Sequence, residues 1–246
     1  MRQIILEGAD ACGKSTLAAN LVTLVEKRHP HIQVRVVREP GDSIKGLRDI
    51  CIRAEALDLA GQSLGKPTPL ASATLFIAGM VQTDKAVYKW AAEVAARGQE
   101  AFVIRDRSII STLIYQGFLG AGPAGVRTIW AMYQELLSES FDRVYVLLGN
   151  HKHRGPSNMH SGVGQGPHIQ KLYASVQKLL GPLDAGGLDG HNLALVREMS
   201  KAMKRADRVS FYQRFPDWKY INTNELDAAA TAEFVLLGLQ KAFKWT

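Results

Sequence analysis

Short apolar runs alternate with longer stretches of helical periodicity along most of the chain. Gln3–Glu7, Gln33–Arg38, Phe102–Asp106, Arg143–Leu148 and Lys219–Asn222 have the length and composition of strands. Lys14–Lys27, Ala71–Arg97, Val126–Ser138, Leu193–Arg208 and Leu226–Phe243 read as helices, with apolar residues three and four apart, as Leu17, Leu21, Leu24 and Val25 are in the first. Asn224 stands where a cap for the last would sit. This alternation predicts an α/β fold, a parallel sheet of about five strands covered by helices on both faces. Ligands should then gather at the carboxyl ends of the strands.

The rhythm breaks between Gly149 and Gly190, where Gly155-Pro156, the glycine-rich Ser161–Gly166 and Gly181-Pro182 fall together. We expect one domain over 1–246 with a flexible lid or flap at 149–190. His151, His153, His160 and His168 in that stretch have no standard metal-ligand spacing and read as surface histidines. An apolar fraction of 46% and a charged fraction of 22% are those of an ordinary globular protein. No uninterrupted apolar run approaches the length of a bilayer-spanning helix, and the first strand begins almost at Met1. No membrane partner is expected. Cys12 and Cys51 are too few for a disulfide framework, which suits a cytoplasmic protein.

The net charge of +7 is uneven. Asn150–Lys219 holds eleven Lys/Arg against five Asp/Glu, a net +6. That is either a phosphate-handling flap with solvated helix faces or a surface for a polyanion such as DNA, through the basic segment 150–219.

Between the first strand and the first helix, Gly8-Ala9-Asp10-Ala11-Cys12-Gly13-Lys14-Ser15 fits the phosphate-loop pattern G-x-x-x-x-G-K-[ST]. Glycines let backbone amides curl around phosphate oxygens at a helix N-terminus, where the dipole favours anions. Lys14 would reach the β/γ-phosphates and Ser15 would ligate Mg²⁺. The candidate ATP-binding set is Gly8, Ala9, Asp10, Ala11, Cys12, Gly13, Lys14, Ser15 and Thr16.

Two further stretches lie at the ends of strands: Arg38-Glu39-Pro40-Gly41, and Asp106-Arg107-Ser108 running on to Ser111-Thr112 and Tyr115-Gln116-Gly117. With Glu7-Gly8-Ala9-Asp10 and Leu75-Phe76, the chain from Ile4 to about Gly120 resembles the thymidylate kinase family, loosely so beyond. The resemblance implies an ATP- and Mg²⁺-dependent phosphotransferase acting on a pyrimidine deoxynucleotide. It implies Lys14, Asp10, Asp106, Arg107 and a flap arginine such as Arg154 as catalytic residues, with Ser15 and Asp106 at the metal. Asp10 matches the carboxylate that contacts the sugar 3′-hydroxyl, and Arg107 the arginine on the acceptor phosphate. Phe76 matches the aromatic that stacks on the base, Pro40 packs beside it and Thr112 faces its edge. Tyr115 matches the tyrosine that excludes a 2′-hydroxyl. Arg38 either supports the acceptor phosphate or braces the loop. Such enzymes commonly pair through helices beside the sheet, so a homodimer is an expectation.

Four departures qualify the likeness. Met80 replaces an arginine that reads the base, and Ser108 replaces a tyrosine. Leu147-Leu148 runs into Gly149-Asn150 without the usual strand-end aspartate, and the flap is long. Ala11 is uncharged, so Arg154, Arg205 or Arg208 would supply the transition-state charge. The leading expectation is transfer from ATP to dTMP, giving dTDP and ADP. The alternative is phosphorylation of 5-hydroxymethyluracil within phage DNA, in a host cytoplasm, to which Met80, Ser108 and the basic segment point. A third reading is a nucleotide-binding module without turnover.

Overall fold

The apolar run at the start of the chain is the central strand of the sheet. In the computed structural model, β1 (Arg2–Glu7) pairs in parallel with β5 (Glu100–Asp106) on one side and β6 (Arg143–Leu148) on the other. β2 (Ile32–Arg38) and β7 (Trp218–Asn222) form the edges, in the order β2-β5-β1-β6-β7. The structure describes residues 1–8, 12–39, 56–57, 62–65, 67–137, 140–148, 196–223 and 226–245. The predicted lid at 149–190 therefore lies outside the described residues, as do Ala9, Asp10, Ala11, Pro40, Cys51 and Arg154.

Helices α1 (Lys14–Arg28), α2 (Pro69–Ala96), α3 (Ile109–Thr112), α4 (Gly122–Leu136), α5 (Arg205–Arg214) and α6 (Ala228–Phe243) surround the sheet. Alternate strand residues point to opposite faces. Ile5, Val144 and Val146 pack with Ala73, Ile77 and Met80 of α2 and Ile129 and Trp130 of α4. Ile4, Leu6, Tyr145 and Leu147 pack with Leu17 and Leu21 of α1 and Val235 and Leu236 of α6. Both faces are covered, as the alternation predicts.

Several elements differ from expectation. A short antiparallel pair, β3 (Ala56–Leu57) with β4 (Ser63–Gly65), is too brief to leave a period-two pattern. The helix expected over Leu193–Arg208 is two: residues 196–201 are helical, and α5 starts anew after Lys204. Arg208 explains the break, since its Nε donates to Ser200 O at 3.0 Å and caps the first piece. The last helix is capped by Asp227, whose Oδ1 accepts from Ala230 N at 2.7 Å, rather than by Asn224, which lies outside the described residues. Helix also begins earlier than Val126. α3, a π-helical segment Leu113–Ala121 and α4 make one run, Ile109–Leu136, of 28 residues. By length and composition alone this run could cross a bilayer, an 18-residue window of it having a mean hydropathy of 1.2, but Gln116, Pro123 and Arg127 interrupt it, so it is not an uninterrupted apolar run. Half of that window is buried in the fold, where Ile110, Leu113 and Trp130 are core residues.

Beneath the carboxyl end of the sheet lies a buried charge cluster. Arg105 of β5 donates Nη1 to Glu39 Oε1 at 3.2 Å, Nη2 to Gln3 Oε1 at 3.1 Å, and Nη2 to Asp84 of α2. Arg105, Glu39 and Asp84 are each at most 3% exposed. The guanidinium also sits 5.4 Å from the Phe141 ring centroid. Removing the cation would take an ion-pair partner from each of two buried carboxylates. Arg105→Met is expected to cost about 3–5 kcal/mol in urea unfolding; a change of a few tenths would show that the cluster is not held by its arginine.

Candidate active site

Phosphate-loop geometry begins where β1 ends. Gly8 has φ +144, and a Cβ there would stand 2.7 Å from both Leu147 O and Cys12 Sγ, so the position admits only glycine. Gly13, at φ 100, caps α1, whose first turn holds no acidic residue. The amides and dipole of that helix end are therefore uncompensated by any anion of the helix itself. Lys14 is buried, and its Nζ donates to Gly8 O at 3.1 Å and lies 3.6 Å from Cys12 Sγ. It bridges the loop where a phosphate oxygen would take its charge. Thr223 Oγ1 donates to Cys12 O at 3.2 Å and ties the loop to the end of β7. Thr16 is exposed on α1.

The end of β5 lies alongside. Ser15 Oγ donates to Asp106 Oδ2 at 2.7 Å, and Arg38 Nε stands 3.7 Å from the same oxygen. The structure thus brings together Ser15 and Asp106, which the sequence places at the metal, with Arg38, for which it leaves open the acceptor phosphate or a brace for the loop. A hydroxyl and a carboxylate in contact are a donor set suited to Mg²⁺, which keeps waters and phosphate oxygens in its remaining positions. Among the described residues, no cluster of three or more His, Cys, Asp or Glu exists to hold a metal by protein groups alone.

Arg107 follows Asp106 with φ 77, a left-handed conformation rare for a side-chain-bearing residue. Its backbone N–H donates to Leu6 O at 2.9 Å, and its Nη1 donates to Ser111 Oγ at 3.1 Å. Glu7, Gly8, Ser111 and Tyr115 line a small cleft there, with Ile110 and Ile114 among its apolar walls. Tyr115 is on the π-helical segment and also packs against the core. Phe76 and Thr112 are buried and are not among the residues lining that cleft.

Two departures have structural uses. Met80 is 3% exposed and belongs to the core cluster with Ile77 and Ala73. Ser108 caps α3, accepting from Ile110 N at 3.1 Å, and donates to Glu7 Oε1 at 2.7 Å. Arg208 spends its guanidinium on backbone carbonyls, whereas Arg205 is exposed.

Glu7 and Ser111 carry no assigned role in the sequence reading, since their contact joins residues far apart in the chain. Ser111 Oγ donates to Glu7 Oε2 at 2.7 Å, so both carboxyl oxygens accept a hydroxyl. Burial pushes the Glu7 carboxyl above its ordinary value, outweighing the opposite pull of Arg107, the two hydroxyls and Lys14.

Two outcomes are expected. Gly8→Ala should lose ATP binding in a direct titration and lower the melting temperature, with strain of about 1–3 kcal/mol before any overlap is counted. Retained ATP binding would contradict the loop geometry. The second concerns pH. A raised folded-state pKa means that the folded protein binds more protons, so the stability Glu7 contributes is largest in acid and is lost as pH rises through that value. The stability of the native protein minus that of Glu7→Gln should therefore fall from acid toward neutral pH. A pH-independent difference in urea unfolding would exclude it.

Comparison with known proteins bears on the fold. No family model matches the chain. The thymidylate kinase of Prochlorococcus marinus (strain MIT 9313) is 32% identical over 120 residues, 48% of this chain and 51% of that protein. The thymidylate kinase of strain MIT 9303 is 31% identical over 120 residues. The chain spans about half the length of the curated relatives it matches. The crystal structure of thymidylate kinase from Ehrlichia chaffeensis superposes with a TM-score of 0.53 at 19% identity, covering 97% of this chain and 98% of that one. The chain thus has the thymidylate kinase fold, a P-loop kinase architecture, and resembles thymidylate kinases in sequence over about half of its length.

Proposed function

We propose that the protein is an ATP-dependent kinase that phosphorylates a thymidylate-like pyrimidine deoxynucleotide, converting dTMP and ATP to dTDP and ADP. The observation that carries this reading is the contact of Ser15 with Asp106, with Arg38 Nε 3.7 Å from the same carboxylate. Phosphoryl transfer asks for positioning and charge neutralisation more than for covalent help. On binding ATP, Lys14 exchanges Gly8 O for the β/γ-phosphates, and the amides at the start of α1 hold the remaining oxygens. Ser15 and Asp106 would hold Mg²⁺, which neutralises charge on the transferred group. Arg107 fixes the acceptor phosphate by its fork of donors. By the resemblance, Phe76, Pro40 and Thr112 would contact the base, Asp10 the 3′-hydroxyl, and Tyr115 would exclude ribose; of these, Tyr115 lines the cleft, whereas Phe76 and Thr112 are buried outside it. Transition-state charge comes from Arg154 or Arg205, because Arg208 is occupied as a helix cap. The whole chain acts as one unit in the cytoplasm, with 149–190 as its lid.

A base within DNA is the less supported acceptor. Met80 and Ser108 both have structural parts here, which leaves that reading with the basic segment. Among its described residues, Lys201 pairs with Glu198, Lys219 with Asp217, and Arg214 donates to Leu137 O.

Labelled ATP offered with dTMP, with 5-hydroxymethyl-dUMP and with hydroxymethyluracil-containing DNA separates the readings. Label on a free nucleotide, lowered at least about 10²-fold by Lys14→Ala, is the expected result. Label on DNA alone would move the acceptor. ATP binding with no transfer to any of the three would make the protein a nucleotide-binding module.

A further inference from the structure

We propose that Glu7 is a positioning residue for the acceptor phosphate: through Ser111, its carboxylate aims the guanidinium of Arg107. The inference rests on the reading of Arg107 as the acceptor-phosphate arginine, and it adds a residue to which that reading gives no part.

Donor and acceptor counting gives the chain of contacts a direction. A guanidinium only donates. Ser111 Oγ, 3.1 Å from Arg107 Nη1, must therefore accept from it, and its single hydrogen goes to Glu7 Oε2 at 2.7 Å. With Glu7 ionised, Ser108 Oγ, which accepts from Ile110 N at 3.1 Å, donates its hydrogen to Glu7 Oε1 at 2.7 Å. Both carboxylate oxygens are thus receivers, and the hydrogens run one way, from Arg107 through Ser111 to Glu7. A hydroxyl that must accept from Arg107 and donate to a fixed carboxylate has one orientation left. The guanidinium it receives is held accordingly.

Burial keeps this anchor stiff. Glu7 is 5% exposed at the end of the central strand, and Ser111 sits on α3, one turn beyond Arg107. The Arg107 backbone is itself pinned to Leu6 O. Side chain and main chain of the same residue are therefore fixed from β1 by two routes. Holding a long side chain before substrate arrives removes ordering that binding would otherwise have to supply. Glu7 does not serve as a direct ligand for the phosphate. A carboxylate facing that anion would repel it, and both of its oxygens are already covered by hydroxyls.

The test is steady-state kinetics with dTMP and ATP varied in turn. Glu7→Gln and Ser111→Ala should each raise KM for dTMP about tenfold to a hundredfold, while KM for ATP changes by less than about twofold. The double variant should be no worse than the more damaging single one, because both cut the same chain of contacts. Ser111→Thr, which keeps the hydroxyl, should restore KM for dTMP. If Glu7→Gln does not fold, the Ser111→Ala and Ser111→Thr pair decides the matter alone. Folded variants that melt lower yet leave KM for dTMP unchanged, or effects that add, would overturn the inference while leaving the kinase reading intact. A native protein that neither binds nor phosphorylates any nucleotide acceptor would overturn both.

Discussion

Leu6 and Asp106 stand opposite one another at the ends of two parallel strands, and the site depends on that register. Arg107 N–H donates to Leu6 O and Glu39 N–H to Asp106 O, each at 2.9 Å. The chain after β1, the chain after β2 and the chain after β5 therefore leave the sheet at one level. Parallel strands make this arrangement possible, since all their carboxyl ends share an edge. Ser15 can reach Asp106 across 91 residues of sequence only because α1 starts from that edge. A slip of one residue would turn Asp106 into the sheet and lift Arg105 to the site. Nothing in the loops could correct for that.

Charge is layered about the same edge. Below it Arg105 is enclosed by Glu39, Asp84 and Gln3, and Glu7 is enclosed by two serines. Above it the cations rest on local oxygens: Lys14 on Gly8 O, Arg38 near Asp106 and Arg107 on Ser111. The contacts of Lys14 and Arg38 are ones that a phosphate oxygen can replace, because the cation exchanges one partial or full negative charge for another, whereas the Arg107–Ser111 contact stays to hold the guanidinium. The buried layer has no such freedom. It keeps β2, α2 and β5 in fixed relation while the upper layer changes partners.

The sheet was legible in the sequence because β1 and β5 are buried on both faces and so read as continuous apolar runs. The phosphate loop was legible because its glycines answer to backbone geometry rather than to context. Three kinds of feature were not. A π-helical segment does not repeat at 3.6 residues, so Leu113–Ala121 left no helical pattern. The break at residues 202–204 depends on Arg208 reaching back to Ser200, which no local propensity announces. The Glu7–Ser111 contact joins β1 to α3 across 104 residues. Met80 shows a different limit. A departure from a family pattern looks like altered chemistry, yet in the fold that side chain fills the core.

Donor and acceptor halves of the site are built from different materials. On the kinase reading, backbone would dominate the donor half: the first turn of α1, with Gly8 where a side chain would collide and Gly13 at positive φ. Side chains and unusual backbone dominate the acceptor half. Arg107 is at positive φ, and Tyr115 stands on a π-helical turn whose Gly117 and Gly120 press against Val126 and Pro69. Strained and widened backbone of this kind persists only where packing over-determines it. Here the core beneath Ile110, Leu113 and Trp130 does so. A backbone-built donor half tolerates change in the residues around it, because amides are supplied by every sequence. The acceptor half has no such protection, so on the kinase reading proposed above selectivity among nucleotides would rest on the few side chains that its strained segments aim.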